Sequence, residues 1–79
     1  MNFPILYSFK RCPYAMRARM ALKLANIKSE IREVRLNNKP KHMIEVSPKG
    51  TVPILILENE VIDESNDIIN WVLDKNNIF

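Results

Sequence analysis

The sequence predicts an α/β domain in which four strands and three helices follow one another in the order βαβαββα. Apolar runs of strand length alternate with segments whose apolar residues recur at helical spacing, and polar or Pro-containing turns separate the two kinds of segment. The chain has 79 residues, which is enough for one small hydrophobic core. We therefore expect a single domain over residues 1–79, without internal repeats or linkers.

The first strand and the first helix are predicted over residues 3–9 and 13–26. The strand segment is almost continuously apolar, as buried strands are, and it ends at a polar turn. Pro13 suits the first position of a helix, where its missing N–H leaves no hydrogen bond unmade. The side chains that we expect on the apolar face of this helix are those of Ala15, Met16, Ala18, Met20, Leu22, Leu24 and Ala25.

The remaining elements are shorter. After the first helix, apolar and charged residues alternate imperfectly, which is typical of a strand at the margin of a sheet. A second helix should turn Met43, Ile44 and Val46 inward, and the two strands after it fit an antiparallel hairpin. The first two strands are expected to be parallel, because a helix joins them. The predicted segments are a strand at residues 29–36, a helix at 40–46, strands at 52–57 and 61–62, and a helix at 65–75.

The composition is typical of a globular protein in a reducing compartment. Hydrophobic residues make up 47% of the chain and charged residues 27%, which excludes a disordered or low-complexity protein. Cys12 is the only cysteine and His42 the only histidine, so we expect no internal disulfide and no metal site within one chain. The first residues lack the pattern of a signal peptide, and no apolar run approaches the roughly 20 residues of a membrane helix. We therefore expect a cytoplasmic protein without membrane contact.

Charge is divided unevenly along the chain. Residues 1–49 contain eleven basic and three acidic residues, a net charge of +8, whereas residues 50–79 contain one basic and six acidic residues, a net charge of −5. The basic residues are scattered over several predicted elements and are not interleaved with aromatic residues, so we do not expect a nucleic-acid partner. A small anionic ligand fits this distribution better.

Four motifs carry a resemblance to a known family. In chain order they are KRCPYAMRARMAL, NNKP, SPKGTVPIL and VIDESNDI. With the element order, they resemble the N-terminal thioredoxin-like domain of omega-class and related bacterial glutathione transferases, and more loosely the glutaredoxins, over essentially the whole chain. The resemblance implies a glutaredoxin-type fold: a four-stranded mixed sheet with helices on both faces. Those relatives carry an all-helical second domain that we do not find in these 79 residues, and both a stand-alone domain and a fragment fit this difference.

Cys12 is the residue on which we expect the chemistry to depend. Its sulfur should lie at a helix N-terminus, where unpaired N–H groups and the helix dipole stabilise a thiolate, and Lys10 and Arg11 add positive charge. The alternative is an inert buried cysteine, the more common state of a free one. In a C-x-x-C redox motif the second cysteine would stand at position 15, which is Ala15 here. A mixed disulfide on Cys12 must therefore be resolved by an external thiol, and glutathione is the obvious candidate.

The resemblance implies a glutathione site formed by Lys39, Val52, Pro53, Glu64 and Ser65. A cis bond between Val52 and Pro53 would let the Val52 main chain pair with the tripeptide as with an added strand. Glu64 would bind the ammonium of the γ-glutamyl end, and Ser65, at a helix N-terminus, its carboxylate. Lys39 would face the glycyl carboxylate. Each residue also has an ordinary alternative: Pro53 as a trans proline at a strand start, Ser65 as a helix N-cap, and Glu64 and Lys39 as solvated charges.

The resemblance implies a glutathione-dependent thiol transferase or reductase, with glutathione as cosubstrate and a disulfide or glutathionylated molecule as substrate. One alternative is a glutathione-binding domain that acts as a binding or regulatory module without efficient turnover. Another is an iron–sulfur carrier of the monothiol glutaredoxin type, although that family has C-G-F-S where this chain has C-P-Y-A. The sequence does not fix the oligomeric state and is compatible with a dimer.

Overall fold

The computed structural model describes residues 4–35 and 37–76. Their elements follow the predicted order βαβαββα. The last helix is longer than predicted, and every other element is as long as its predicted segment or shorter. The predicted strand ends at Phe3 and Leu36 lie outside the described residues. The elements are β1 (Ile5–Ser8), α1 (Pro13–Leu24), β2 (Glu30–Glu33), α2 (Lys41–Val46), β3 (Ile54–Ile56), β4 (Val61–Ile62) and α3 (Ser65–Asn76).

The four strands form one mixed sheet in the order β2-β1-β3-β4. β1 is central: Leu6 pairs with Ile31 of the parallel strand β2 on one side and with Leu55 of the antiparallel strand β3 on the other. β3 and β4 form the predicted antiparallel hairpin. β2 lies at the edge of the sheet, as its alternation of apolar and charged residues predicted. The predicted pairing is therefore confirmed.

The two faces of the sheet pack against different helices. Leu6 and Leu55 belong to the core cluster that includes buried residues of α1 and α3. Their strand neighbours Tyr7 and Ile54 belong to a second cluster with Met43 of α2. Successive side chains of a strand point to opposite faces, so β1 and β3 each supply both clusters. The prediction of helices on both faces is confirmed, and burying each large apolar side chain contributes about 1.5–3 kcal/mol.

α1 buries a narrower face than the sequence predicted. Its buried side chains recur every three or four residues and face the sheet and α3. The prediction was wrong for Met16, Met20 and Leu24, which are 43%, 62% and 68% exposed. These three are spaced by four residues and so form a separate stripe beside the buried face. The buried residues of α1 and of its C-terminal cap are Ala15, Ala18, Leu22 and Ala25.

α2 contributes one large side chain, Met43, fully to the second core cluster. Val46 is half-buried against the same cluster, as predicted. Ile44 was wrongly predicted to turn inward and is 39% exposed, because it follows Met43 directly and consecutive helical side chains diverge by about 100°. Its terminal methyl instead lies over Gly50, which has a φ of 65° and turns the chain back toward β3.

Candidate functional site

Four segments that carry predicted site residues leave the sheet at the same end. Tyr7, near the end of β1, pairs with Ile54 at the start of β3, so the loop after β1 and the loop before β3 are neighbours. β2 runs parallel to β1, and β4 runs antiparallel to β3, so both also end at this side. The register thus brings these four segments together. Their predicted site residues are Cys12, Lys39, Val52, Pro53, Glu64 and Ser65.

Cys12 is the N-cap residue of α1 and directly precedes Pro13. Its N–H donates to the Phe9 carbonyl at 2.9 Å, and its carbonyl accepts the Met16 N–H at 2.9 Å. The side chain is partly exposed, forms no disulfide and makes no capping hydrogen bond to the helix. The thiol is therefore not packed in the core, and it lies at the positive end of the α1 dipole.

The peptide bond between Val52 and Pro53 is cis, as the resemblance implied. Pro53 is buried, and the Val52 side chain packs against the second core cluster. Within the described part of the chain, the N–H and the carbonyl of Val52 make no hydrogen bond. The main-chain donor and acceptor of Val52 are thus left for another group.

Ser65 is the first residue of α3 and is 9% exposed. The first helical hydrogen bond runs from the Ile68 N–H to the Glu64 carbonyl at 3.0 Å, so Glu64 occupies the capping position and the expected Ser65 cap is shifted by one residue. Both side chains therefore lie at the N-terminus of α3, where main-chain N–H groups have no helical acceptor.

The Glu64 carboxylate is paired with the Lys49 ammonium, a contact that the sequence did not predict. The same ammonium lies 3.6 Å from the Asp63 carboxylate, and the Ser47 hydroxyl donates to Asp63 at 3.1 Å. The hydrogen bond to Glu64 is the main cause that raises the pKa of Lys49 above its ordinary value. The only sequence signal for this pair is the position of Lys49 inside one of the resembling motifs, one residue before Gly50.

Lys39 lies over the turn that precedes β3. Its ammonium is 3.4 Å from the position that a Cβ atom on Gly50 would occupy, and Ile44 is 3.1 Å from the same position. Among the described residues Lys39 has no ion-pair partner. The absence of a side chain at Gly50 thus leaves room for the Lys39 ammonium over this turn.

A second polar cluster ties α2 to the sheet. The hydroxyl of the buried Tyr7 is 2.6 Å from Nδ1 of His42, and Arg32 donates to the same hydroxyl at 3.3 Å. The hydroxyl oxygen accepts from Arg32, and whether the hydroxyl donates to Nδ1 or accepts from it is set by the tautomer of His42. His42 is exposed, and the sequence did not predict its bond to Tyr7.

Over residues 4–35 and 37–76, no helix combines the length and apolarity needed to cross a membrane. No three His, Cys, Asp or Glu side chains in the same residues converge as metal ligands would. The neighbouring carboxylates of Asp63 and Glu64 share the Lys49 ammonium.

The chain is similar in sequence to known glutathione transferases. Omega-1 glutathione S-transferase of Mus musculus is 42% identical over 50 residues, which cover 63% of this chain and 21% of the mouse protein. A probable glutathione transferase of Aplysia californica is 36% identical over 56 residues, covering 71% of this chain and 61% of that protein. The chain thus spans less than two thirds of the length of either relative.

Solved structures show the same fold. Glutathione transferase Omega 3C from Trametes versicolor superposes with a TM-score of 0.89 at 27% identity, covering 95% of this chain and 34% of that chain. Rice GST1, solved in complex with glutathione, superposes with a TM-score of 0.85 at 26% identity, covering 91% of this chain and 32% of that chain. The family profile of the glutathione S-transferase N-terminal domain matches residues 6–77. With 72 of its 79 residues matched, the chain belongs to the glutathione S-transferase N-terminal domain family.

Proposed function

We propose that the chain is the glutathione-binding domain of a glutathione-dependent thiol transferase or reductase, with Cys12 as nucleophile. The observation that carries this proposal is the partly exposed Cys12 thiol at the N-terminus of α1, at the end of the sheet where the Val52 and Glu64 segments also lie. A cysteine at this position favours thiol–disulfide exchange, since a thiolate is both a good nucleophile and a good leaving group. Net reduction of a disulfide by glutathione is favoured in a reducing compartment, and we propose the cytoplasm.

Glutathione is an extended tripeptide whose charged groups match the polar groups around Cys12. The main-chain donor and acceptor of Val52 would pair with its cysteinyl residue as with an added strand. At the γ-glutamyl end, Glu64 would bind the ammonium, and the α3 N-terminus with Ser65 would bind the carboxylate. Lys39 would bind the glycyl carboxylate, and Pro53 would fix the Val52 segment. In this arrangement the ligand sulfur would face Cys12.

The reaction would proceed in two exchanges. In the first, the Cys12 thiolate attacks the glutathione sulfur of a glutathionylated substrate; the Cys12–glutathione disulfide forms while the substrate S–S bond breaks and the substrate leaves as a thiolate. In the second, the thiolate of another glutathione attacks this mixed disulfide, glutathione disulfide leaves, and the Cys12 thiolate is restored. The substrate sulfur is reduced and the sulfur of the attacking glutathione is oxidised, while the first glutathione sulfur stays in a disulfide throughout. Ala15 offers no competing thiol, so glutathione resolves the intermediate.

The test is a steady-state assay with glutathione and its mixed disulfide with 2-mercaptoethanol, read as formation of glutathione disulfide. We expect the wild-type chain to turn over and Cys12→Ser to lose at least about 100-fold in kcat. The variant should still bind glutathione in an amide-shift titration, because the groups that bind the ligand are unchanged. Turnover that survives in Cys12→Ser would contradict the mechanism. Binding without turnover in the wild type would instead identify a binding module.

A further inference from the structure

We propose that Arg19 and Glu33 are positioning residues that hold the loop carrying Cys12, a proposal that rests on the function proposed above. This loop, residues 9–12, lies between β1 and α1 and is called here the Cys12 loop. Residues 9–11 belong to no strand or helix, so side-chain contacts add to the main-chain bond between Cys12 and Phe9 in fixing their conformation. Charged groups from α1 and from β2 reach the loop from two sides.

Arg19 lies about two helical turns along α1 from Cys12, and its guanidinium folds back over the loop. Nη1 donates to the hydroxyl of the fully buried Ser8 and lies 3.4 Å from the Phe9 carbonyl. Nη2 donates to the Lys10 carbonyl at 3.4 Å. The planar guanidinium thus spans three consecutive residues, which the single ammonium of a lysine cannot do.

Glu33, the last residue of β2, holds the same loop through a different atom. Its carboxylate accepts the Lys10 N–H at 2.8 Å, while Arg19 bonds the Lys10 carbonyl. The negative charge of Glu33 on β2 therefore holds the peptide group before Lys10, and the positive charge of Arg19 on α1 holds the peptide group after it. The Phe9 carbonyl that Arg19 approaches also accepts the Cys12 N–H at 2.9 Å. Arg19 and the Cys12 N–H thus contact the same Phe9 carbonyl.

The position of the Cys12 sulfur matters because thiol–disulfide exchange needs the attacking, central and leaving sulfurs in line. A misplacement of about 1 Å in a reacting group can cost about 100-fold in rate. Neither Arg19 nor Glu33 belongs to the groups proposed to bind glutathione. Loosening the loop should therefore lower kcat and leave the KM for glutathione nearly unchanged.

The experiment uses the turnover assay described above with matched variants. Glu33→Leu removes the acceptor of the Lys10 N–H and should lower kcat about five- to tenfold, whereas Glu33→Gln keeps an acceptor and should stay within about twofold of wild type. Arg19→Gln should lower kcat about tenfold, and Arg19→Lys should recover only part of the loss. Arg17→Gln is the control, because Arg17 contacts Asn66 and not the loop. KM for glutathione should change less than about twofold in all of them.

A double-mutant cycle separates positioning from general destabilisation. Arg19→Gln and Glu33→Leu loosen the same residue, Lys10, from its two sides, so their combined loss in kcat should be smaller than the product of the single losses. Kinetics are measured on samples whose circular dichroism matches wild type at the assay temperature. If Arg19→Gln does not fold, the two variants at the exposed Glu33 still test the proposal. The amide shifts of Phe9 and Cys12 should move in Glu33→Leu and not in Glu33→Gln.

Two results would overturn the proposal: kcat within twofold of wild type in a folded Glu33→Leu, or an increase in KM with unchanged kcat. The proposed function can fail separately, if the wild type does not turn over the mixed disulfide. In that case alkylation of Cys12 by iodoacetamide still tests positioning. Its rate should fall at least about threefold in Glu33→Leu relative to Glu33→Gln, and equal rates would overturn the role of the loop contacts.

Discussion

The Lys49 ammonium is paired with the Glu64 carboxylate at the start of α3, the same carboxylate that we propose binds the ammonium of glutathione. Two primary ammonium groups of equal charge would therefore compete for one acceptor. Lys49 also lies 3.6 Å from Asp63 and keeps a partner when the ligand displaces it. The exchange should cost little, because ion pairs between exposed side chains are weak.

We predict that Lys49→Gln increases the affinity for glutathione about two- to fivefold, because the competing cation is removed. Isothermal titration measures the change. Lys41→Gln, which removes an equal charge from the exposed surface of α2, is the control for net charge. A glutathione analogue without the α-ammonium should show no gain with Lys49→Gln. Weaker glutathione binding in this variant would mean that Lys49 assists the ligand instead of competing with it.

The ion pair between Lys49 and Glu64 also predicts that the stability of the fold depends on pH. The hydrogen bond to Glu64 raises the pKa of Lys49 above its ordinary value of 10.5. A raised pKa in the folded state stabilises the protein fully below the unfolded value and loses this contribution as the pH rises through the folded one. Urea unfolding of wild type and Lys49→Gln should therefore differ slightly at pH 9 and converge as the pH rises through the raised pKa of Lys49. A difference that grows at high pH would contradict the assignment.

The hydrogen bond between Tyr7 and His42 can be tested with a matched pair of variants at position 42. His42→Ala removes the hydrogen-bond partner of the Tyr7 hydroxyl and should lower the free energy of unfolding by about 0.5–1.5 kcal/mol. His42→Asn offers an oxygen close to the position of Nδ1 and should lose less. Urea unfolding at neutral pH measures both. Equal stability of His42→Ala and wild type would show that this hydrogen bond contributes nothing to holding α2.

Two methionines test the division between core and surface. Met43 is fully buried against Tyr7 and Val34, so Met43→Ala should cost about 2–5 kcal/mol. Met20 is 62% exposed on α1, so Met20→Ala should stay within about 0.5 kcal/mol of wild type. Thermal unfolding of the two variants gives the comparison. A large loss in Met20→Ala would mean that the α1 stripe is packed in solution.

Local sequence patterns were sufficient to predict the strands and helices and the segments that carry the site residues. Strand-length apolar runs and Pro13 at a helix start located β1 and α1, and the motif around Pro53 implied the cis bond that the structure has. Sequence periodicity could not decide which apolar residues of α1 lie inward. With 3.6 residues per turn, Met20 fits a broad apolar face, and only packing against the sheet selects Leu22 and not Met20.

Contacts between distant residues account for what the sequence did not predict. Lys49 and Glu64 are 15 residues apart, and Tyr7 and His42 are 35 residues apart. Each of these residues has an ordinary solvated or packed alternative when it is taken alone. Only the register of the sheet, which brings four segments to one end, places them within bonding distance.

β2 has one strand neighbour, β1, among the strands that the structure describes. The outer main-chain groups of such an edge are a template on which a strand of another molecule can add and start aggregation. Here the edge is only four residues long, and three of the four, Glu30, Arg32 and Glu33, are charged. A strand that added there would have to desolvate these charges, so β2 is protected against edge-to-edge association without a covering helix.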